Sequence, residues 1–212
     1  MERIILIRHG QSQANIEDIF AGSMESPLTS LGRQQAKLMG EYMRKYKVDA
    51  LYSSDLSRAF DTAMAVAETQ DLVPVTKKEL REIYAGDWQG KTFEEIKEKY
   101  PQSYGKWMEN IGVSHPEGGE SGQQVYTRAT AVLKEILKEN PNKTICIVCH
   151  AMIIRMMECF IAGKNADYGK DMPWVPNASV TVYDHNNGVF SVVERGTCDF
   201  LGKNATFVPD NI

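Results

Sequence analysis

Four side chains in this sequence are of types that together handle a doubly charged anion: Arg8, His9, Arg58 and His150. Arg8 and His9 close the run Arg3-Ile4-Ile5-Leu6-Ile7-Arg8-His9-Gly10, and His150 closes a second apolar run, Thr144-Ile145-Cys146-Ile147-Val148-Cys149. Guanidinium groups present forked donors matched to phosphate oxygens. A neutral imidazole between such cations, its pKa held down by their charge, can attack phosphorus. The chemistry suggested is a pocket for a phosphate dianion in which His9 could carry the phosphoryl group. Gly10 is expected to let the backbone approach that anion closely.

Those residues need a scaffold that delivers them to one place. Ile4 to Ile7 is too short and too β-branched for a helix, and unbroken apolar character suits a central strand covered on both faces. In open α/β sheets the groups just past the carboxyl ends of strands line the ligand crevice. Arg58 lies in the first turn of a helix that starts after Ser53-Ser54-Asp55, with Leu56, Phe60, Ala63 and Ala67 on its apolar face. There it adjoins backbone N–H groups and the positive helix end, which favour an anion; pairing with Asp55 or Asp61 is the competing use.

Between these points the pattern predicts a helix capped by Thr29 or Ser30, with Leu31, Leu38, Tyr42 and Tyr46 inward, and a strand over 48–52. Leu80 to Gly90 reads as an ordered loop, followed by short helices over 92–100 and 101–110. Ser121 and Gln124 form a capping box for a long helix with Val125, Ala129, Val132 and Ile136 buried. Met152 to Ile161 is apolar nearly all round, Arg155 excepted, and so reads as a buried helix. Ser179 to Tyr183 and Val189 to Val193 read as a hairpin. The tail from Gly196 carries little signal, and His115 and His185 are expected to be solvated in turns. Alternating strands and helices predict a parallel sheet with an antiparallel edge.

The 212 residues suit a single α/β domain, and a composition of 42% hydrophobic and 25% charged residues is that of an ordinary globular protein. A net charge of −4 argues against general affinity for nucleic acid or anionic lipid, so any anion site must concentrate Arg and His locally. No apolar stretch has the length of a membrane span, and residue 1 runs straight into the first strand without a signal-peptide pattern, so a cytoplasmic protein is expected. Cys146 and Cys149 have C-x-x-C spacing, but inside a strand they would face opposite sides, which suits neither zinc nor redox chemistry.

The motifs extend along the chain. Leu6-Ile7-Arg8-His9-Gly10 with Ser12 and Asn15, Leu28-Thr29-Ser30-Leu31-Gly32, and Ser53-Ser54-Asp55-Leu56-Ser57-Arg58-Ala59 with Thr62-Ala63 resemble the histidine phosphatase (phosphoglycerate mutase-like) superfamily. So do Glu82 with Gly86-Asp87-Trp88-Gln89-Gly90, Glu117-Gly118-Gly119-Glu120-Ser121 and Val148-Cys149-His150, so the resemblance covers nearly the whole chain up to the hairpin. It implies a three-layer α/β/α sandwich with a mainly parallel sheet and one antiparallel edge strand, carrying a helical cap or insert at about 84–120. It also implies that His9 is the nucleophile and that Arg8, Arg58 and His150 hold the phosphoryl oxygens, with Asn15 and the Ala151 N–H completing the cradle. Glu82 matches the general acid and base, and neither metal nor cofactor is needed. Two departures stand out: Gln11 where the family more often has Glu, and Ala151 where Gly or Asp is usual.

A small-molecule phosphate ester is the implied partner, and the implied activity is hydrolysis. Gly90 to Gly119 has no Arg and only Pro101 and Pro116, unlike the longer arginine-containing insertion of the mutases. A phosphoglycerate mutase is the alternative, and a noncatalytic phospholigand-binding protein the second; His9, Glu82 and His150 are all present, against the latter. Gly22 and the stretch from Glu82 to Trp107 are expected to border the substrate, with Tyr84, Trp88 and Trp107 either walling it or simply packing. The sequence assigns no oligomeric state.

Overall fold

The computed structural model describes residues 2–206. In chain order its elements are β1 (Glu2–Arg8), α1 (Gln13–Ile16), α2 (Ser30–Met43), β2 (Ala50–Ser53), α3 (Ser57–Gln70) and β3 (Val75–Thr76). Then follow α4 (Phe93–Lys99), α5 (Pro101–Glu109), α6 (Gly122–Glu139), β4 (Thr144–Cys149), α7 (Ala151–Ile161), β5 (Val180–Asn186) and β6 (Val189–Thr197). The strands form one sheet in the order β3-β2-β4-β1-β5-β6. Its first four are mutually parallel; β5 runs antiparallel beside β1 and carries β6 outside it.

The continuous apolar runs make β1 and β4 the sheet's centre because both faces of each are covered. Ile4, Leu6, Ile145, Ile147 and Cys149 pack beneath α6 and α7, against Val125, Ala129, Val132 and Ile136. Ile5, Ile7, Cys146 and Val148 pack on the other side against Met39 and Met43 of α2 and Ala63, Val66 and Ala67 of α3. The two-residue strand period thus sends Cys146 and Cys149 to opposite layers, where both are buried free thiols.

The buried stripe of α2 is Gly32, Gln35, Ala36, Met39, Gly40 and Met43, not the stripe of Leu31, Leu38, Tyr42 and Tyr46. A Cβ on Gly40 would lie 2.4 Å from the Ala65 carbonyl oxygen, so close crossing with α3 selects the small-residue face. The aromatic stripe is covered instead by the tail, where Phe200 stacks on Tyr42 at 4.1 Å within a turn over Asp199–Asn204. His185 also departs from expectation. It lies in β5, bonds Glu2 through Nδ1 at 2.6 Å and stacks on Phe190 at 4.3 Å. β5 extends past Tyr183 because its pairing with β1 continues to Glu2 opposite His185. His115 is exposed, as expected of a turn.

Candidate active site

Register brings the two histidines together. Arg8 pairs with Cys149 across the parallel β1–β4 ladder, and the His9 N–H continues it to the Cys149 carbonyl at 3.1 Å. His9 and His150 are therefore side by side where the strands end, their ring centroids 5.1 Å apart. A cavity of about 170 Å³ opens there, bordered by Arg8, His9, Asn15, Gly22, Arg58, Glu82 and Ala151. His150 stands behind that lining, fully buried.

The hydrogen bonds assign different tautomers to the two imidazoles. His9 Nδ1–H donates to its neighbour's carbonyl, Gly10 O, at 2.7 Å, which leaves the Nε2 lone pair for an electrophile. At His150, Nε2 meets Ser54 Oγ at 2.9 Å. That hydroxyl also accepts the Leu56 N–H, and among the described residues Nε2 is the acceptor within reach of its own buried hydrogen; with Nε2 accepting, the ring hydrogen resides on Nδ1, which has no partner. Burial first, then the charges of Arg58 and Arg8, hold the His9 pKa well below its usual range. Burial and the same two cations do the same to His150, with His9 adding to the effect. Both rings are therefore neutral.

The arginines are held by carbonyl oxygens, so their charge is not consumed by carboxylates. Arg8 Nη1 donates to Val175 O at 2.6 Å, and its Nε is buried without a partner. Arg58 donates to Met24 O at 2.8 Å and Gly22 O at 2.7 Å. Its competing partner Asp55 is engaged instead with Arg81 in a two-pronged pair at 2.6 and 2.7 Å. Burial lowers both pKa values, Arg8 to about 10, which leaves the guanidinium charged at neutral pH.

Glu82 reaches the same cavity from the loop before α4. Its carboxylate accepts the Ile83 N–H at 3.0 Å and the Met152 N–H, in the first turn of α7, at 3.2 Å. Desolvation outweighs these contacts and the two arginines and raises its pKa, which favours a carboxyl group able to give and retake a proton. The loop is anchored on one side by Arg81–Asp55 and on the other by Arg128, which donates to Glu79 O and Arg81 O at 2.8 Å. Asn15 Oδ1 accepts from the Ser12 N–H at 3.0 Å and lies 3.3 Å from Asn177 Nδ2, leaving its own amide hydrogens as donors. Ala151 begins α7, where backbone N–H groups have no carbonyl one turn back.

Several expectations change. Gly10 serves helix packing: a Cβ there would lie 2.5 Å from the Gly32 carbonyl oxygen. Gly22, at φ +51°, borders the cavity and orients Arg58 through its carbonyl. Tyr84 is exposed and Trp88 is fully buried with Nε1–H on Glu117, so neither borders the cavity, whereas Trp107 does. Trp88 and Trp107 meet Phe20 edge-on at 5.6 and 5.5 Å, which ties the segment over 84–120 to the loop after β1. Gln11 accepts the Thr29 hydroxyl at 2.8 Å and stays at the cavity wall. No sequence pattern assigns the stretch from Trp174 to Asn177 to the site, yet it supplies the Val175 carbonyl to Arg8, and Asn177 Nδ2 donates to His9 O at 3.2 Å. The signal there is the turn-forming pair Pro176-Asn177 just before β5.

Fold and site together define an α/β protein with a cationic, histidine-bearing anion pocket at the carboxyl edge of its sheet. The chain belongs to the histidine phosphatase superfamily (branch 1), whose family model matches residues 4–197. It is 34% identical over 163 residues to phosphoserine phosphatase 1 of Hydrogenobacter thermophilus, covering 77% of each chain. It is 32% identical over 186 residues to the metal-independent phosphoserine phosphatase of Arabidopsis thaliana, covering 81% of this chain and 78% of that one. The structure of mycobacterial glucosyl-3-phosphoglycerate phosphatase with VO3 superposes with a TM-score of 0.84 at 28% identity, covering 91% of this chain and 97% of that one.

Proposed function

We propose that this protein hydrolyses a small phosphomonoester without a metal ion, through a phosphohistidine formed on His9 and with Glu82 as general acid and base. The observation that carries the reading is the buried, neutral His9, its Nδ1–H on Gly10 and two charged arginines beside it. In the first step His9 Nε2 forms a bond to phosphorus while the ester P–O bond breaks, and the Glu82 carboxyl gives its proton to the departing oxygen. In the second, the Glu82 carboxylate takes a proton from water as that water attacks phosphorus. The N–P bond breaks, phosphate leaves and His9 recovers its lone pair. Arg8, Arg58 and the Nδ1–H of His150 stabilise charge on the phosphoryl oxygens, with Asn15 and the Ala151 N–H completing the cradle.

Metal independence is supported by the name of the Arabidopsis relative and by the two guanidinium charges at the pocket. The 84–120 segment acts as a cap in this reading, supported by Phe93 and Trp107 at the cavity wall. A cytoplasmic setting is supported by the four free cysteines. Among the described residues no helix is long and apolar enough to cross a membrane. The test is phosphate release from a panel of phosphomonoesters in the presence of a chelator, with Glu82→Ala alongside. Selective release that collapses in the variant is expected; ester binding with no release from any substrate would overturn the reading.

A further inference from the structure

A second cavity, of about 120 Å³, lies beside the phosphate pocket and shares Trp107 and Trp174 with it as lining. Arg155 of α7 lines this second cavity and is 7% exposed, with no hydrogen-bond partner for its Nε. Its guanidinium carbon lies 4.0 Å from the centroid of the Trp174 ring, and among the described residues its N–H groups hold no acceptor. Glu158, one turn along the helix, is already committed: Oε1 accepts from the Tyr183 hydroxyl and Arg195 Nε, and Oε2 from Arg195 Nη2. Among the described residues Arg155 forms no ion pair.

A buried cation without a counter-charge is costly, and most proteins pair it. Burial and the neighbouring Arg195 lower the Arg155 pKa to about 10, so it remains charged at neutral pH. Lys170 adds a second positive group to the same cavity, whose one acidic lining residue, Glu109, is exposed. The placement relates the two cavities. Arg155 is four residues beyond Ala151 on one helix, about 6 Å along its axis, and Ala151 borders the phosphate pocket.

We propose that the Arg155 cavity receives a carboxylate joined to the phosphate ester by a short carbon chain, so that the substrates are small phosphorylated hydroxy or amino acids. This rests on the phosphatase reading above. Trp107 and Trp174 would flank the connecting carbons, and the carboxylate would take the N–H edge of Arg155. The residue has no part in the bond-breaking step; it selects the ester.

The experiment compares phosphate release from 3-phosphoglycerate and glycerol 3-phosphate, which differ in a carboxylate or a hydroxymethyl group at the far end. Wild type is expected to favour 3-phosphoglycerate by on the order of ten- to a hundred-fold in kcat/KM. Arg155→Met should remove most of that preference, chiefly through KM, and Arg155→Lys should restore part of it. A wild-type ratio near one overturns the proposal without any variant, as does an equal loss on both esters in Arg155→Met. Calorimetric binding of both esters separates the two readings. Arg155-dependent binding of 3-phosphoglycerate without hydrolysis would keep the carboxylate site and remove the phosphatase, whereas hydrolysis of both esters at equal kcat/KM would do the reverse. Failure to bind or hydrolyse either ester overturns the carboxylate site.

Discussion

At the end of β1 an imidazole follows an arginine and turns its Nδ1–H back onto the Gly10 carbonyl, while at the end of β4 an imidazole receives a hydrogen from Ser54 and keeps an unpartnered Nδ1–H. The strands that deliver them are alike: both are continuous apolar runs, paired in parallel and in register up to Arg8 and Cys149. Both rings are buried, neutral and close to the same two arginines. One offers a lone pair and the other a proton. Strand register places a side chain, but the partner of its second nitrogen decides what the first can do.

The largest effect should come from removing the lone pair. His9→Ala is expected to lower turnover by at least on the order of 10⁴-fold and to abolish trapping of radiolabelled phosphate on the protein. Retained labelling would transfer the nucleophilic role to the other strand end and break the comparison. Glu82→Gln should cost roughly 10²- to 10⁴-fold. Its pH profile carries the sharper signature: a proton must be present on Glu82 for the leaving oxygen, so wild-type kcat/KM falls as pH rises through the raised carboxyl pKa, and the variant should lack that alkaline limb.

Removing the donor at the other strand end should cost less. His150→Ala is expected to lower kcat by about 10²- to 10³-fold while phosphohistidine still forms, because the lost group stabilises charge without bonding to phosphorus. Ser54→Ala should cost about tenfold or less by releasing His150 to its other tautomer, with the nitrogen chemical shifts of the ring as the direct readout. A Ser54→Ala enzyme with an unchanged ring spectrum would show that something else sets the tautomer.

The smallest effect is on stability. Both histidines have folded-state pKa values below the 6.5 of an unperturbed imidazole, so below pH 6.5 the unfolded chain binds protons that the folded one refuses. Stability should therefore fall as pH drops from 6.5, by up to about 1.4 kcal/mol per pH unit for each ring. Urea midpoints between pH 7 and pH 5 should show a shallower decline in His9→Asn than in wild type. Equal slopes would mean that the ring titrates normally in the folded protein.

How far this architecture could be read in advance differs from element to element. The inward face of α6 follows from its helical period, since Val125, Ala129, Val132 and Ile136 are all buried. The inward face of α2 does not, because hydrophobicity ranks Tyr42 and Leu38 above Gly40, and the close crossing with α3 reverses that ranking. Phe200 covers the remaining stripe from a tail without any regular period. His185 reads as a turn residue until β1 pairs along β5 as far as His185 itself.

The chain's own residues determined the chemistry available: two histidines after two apolar strands, two arginines near them and a carboxylate at Glu82 are stated by residue type and local period. Those features are local, and local pattern carries them. Only the tertiary structure decided how they act. It directed Arg8 to the Val175 carbonyl and Arg58 to Gly22 and Met24, set opposite tautomers on His9 and His150, and desolvated Glu82. Among the described residues it also left Arg155 buried without an ion pair, Arg195 and Tyr183 having taken the oxygens of Glu158. Each of these depends on partners far apart in the chain, and hydrogen-bond partnership and burial arise only when the packed layers bring those segments into contact.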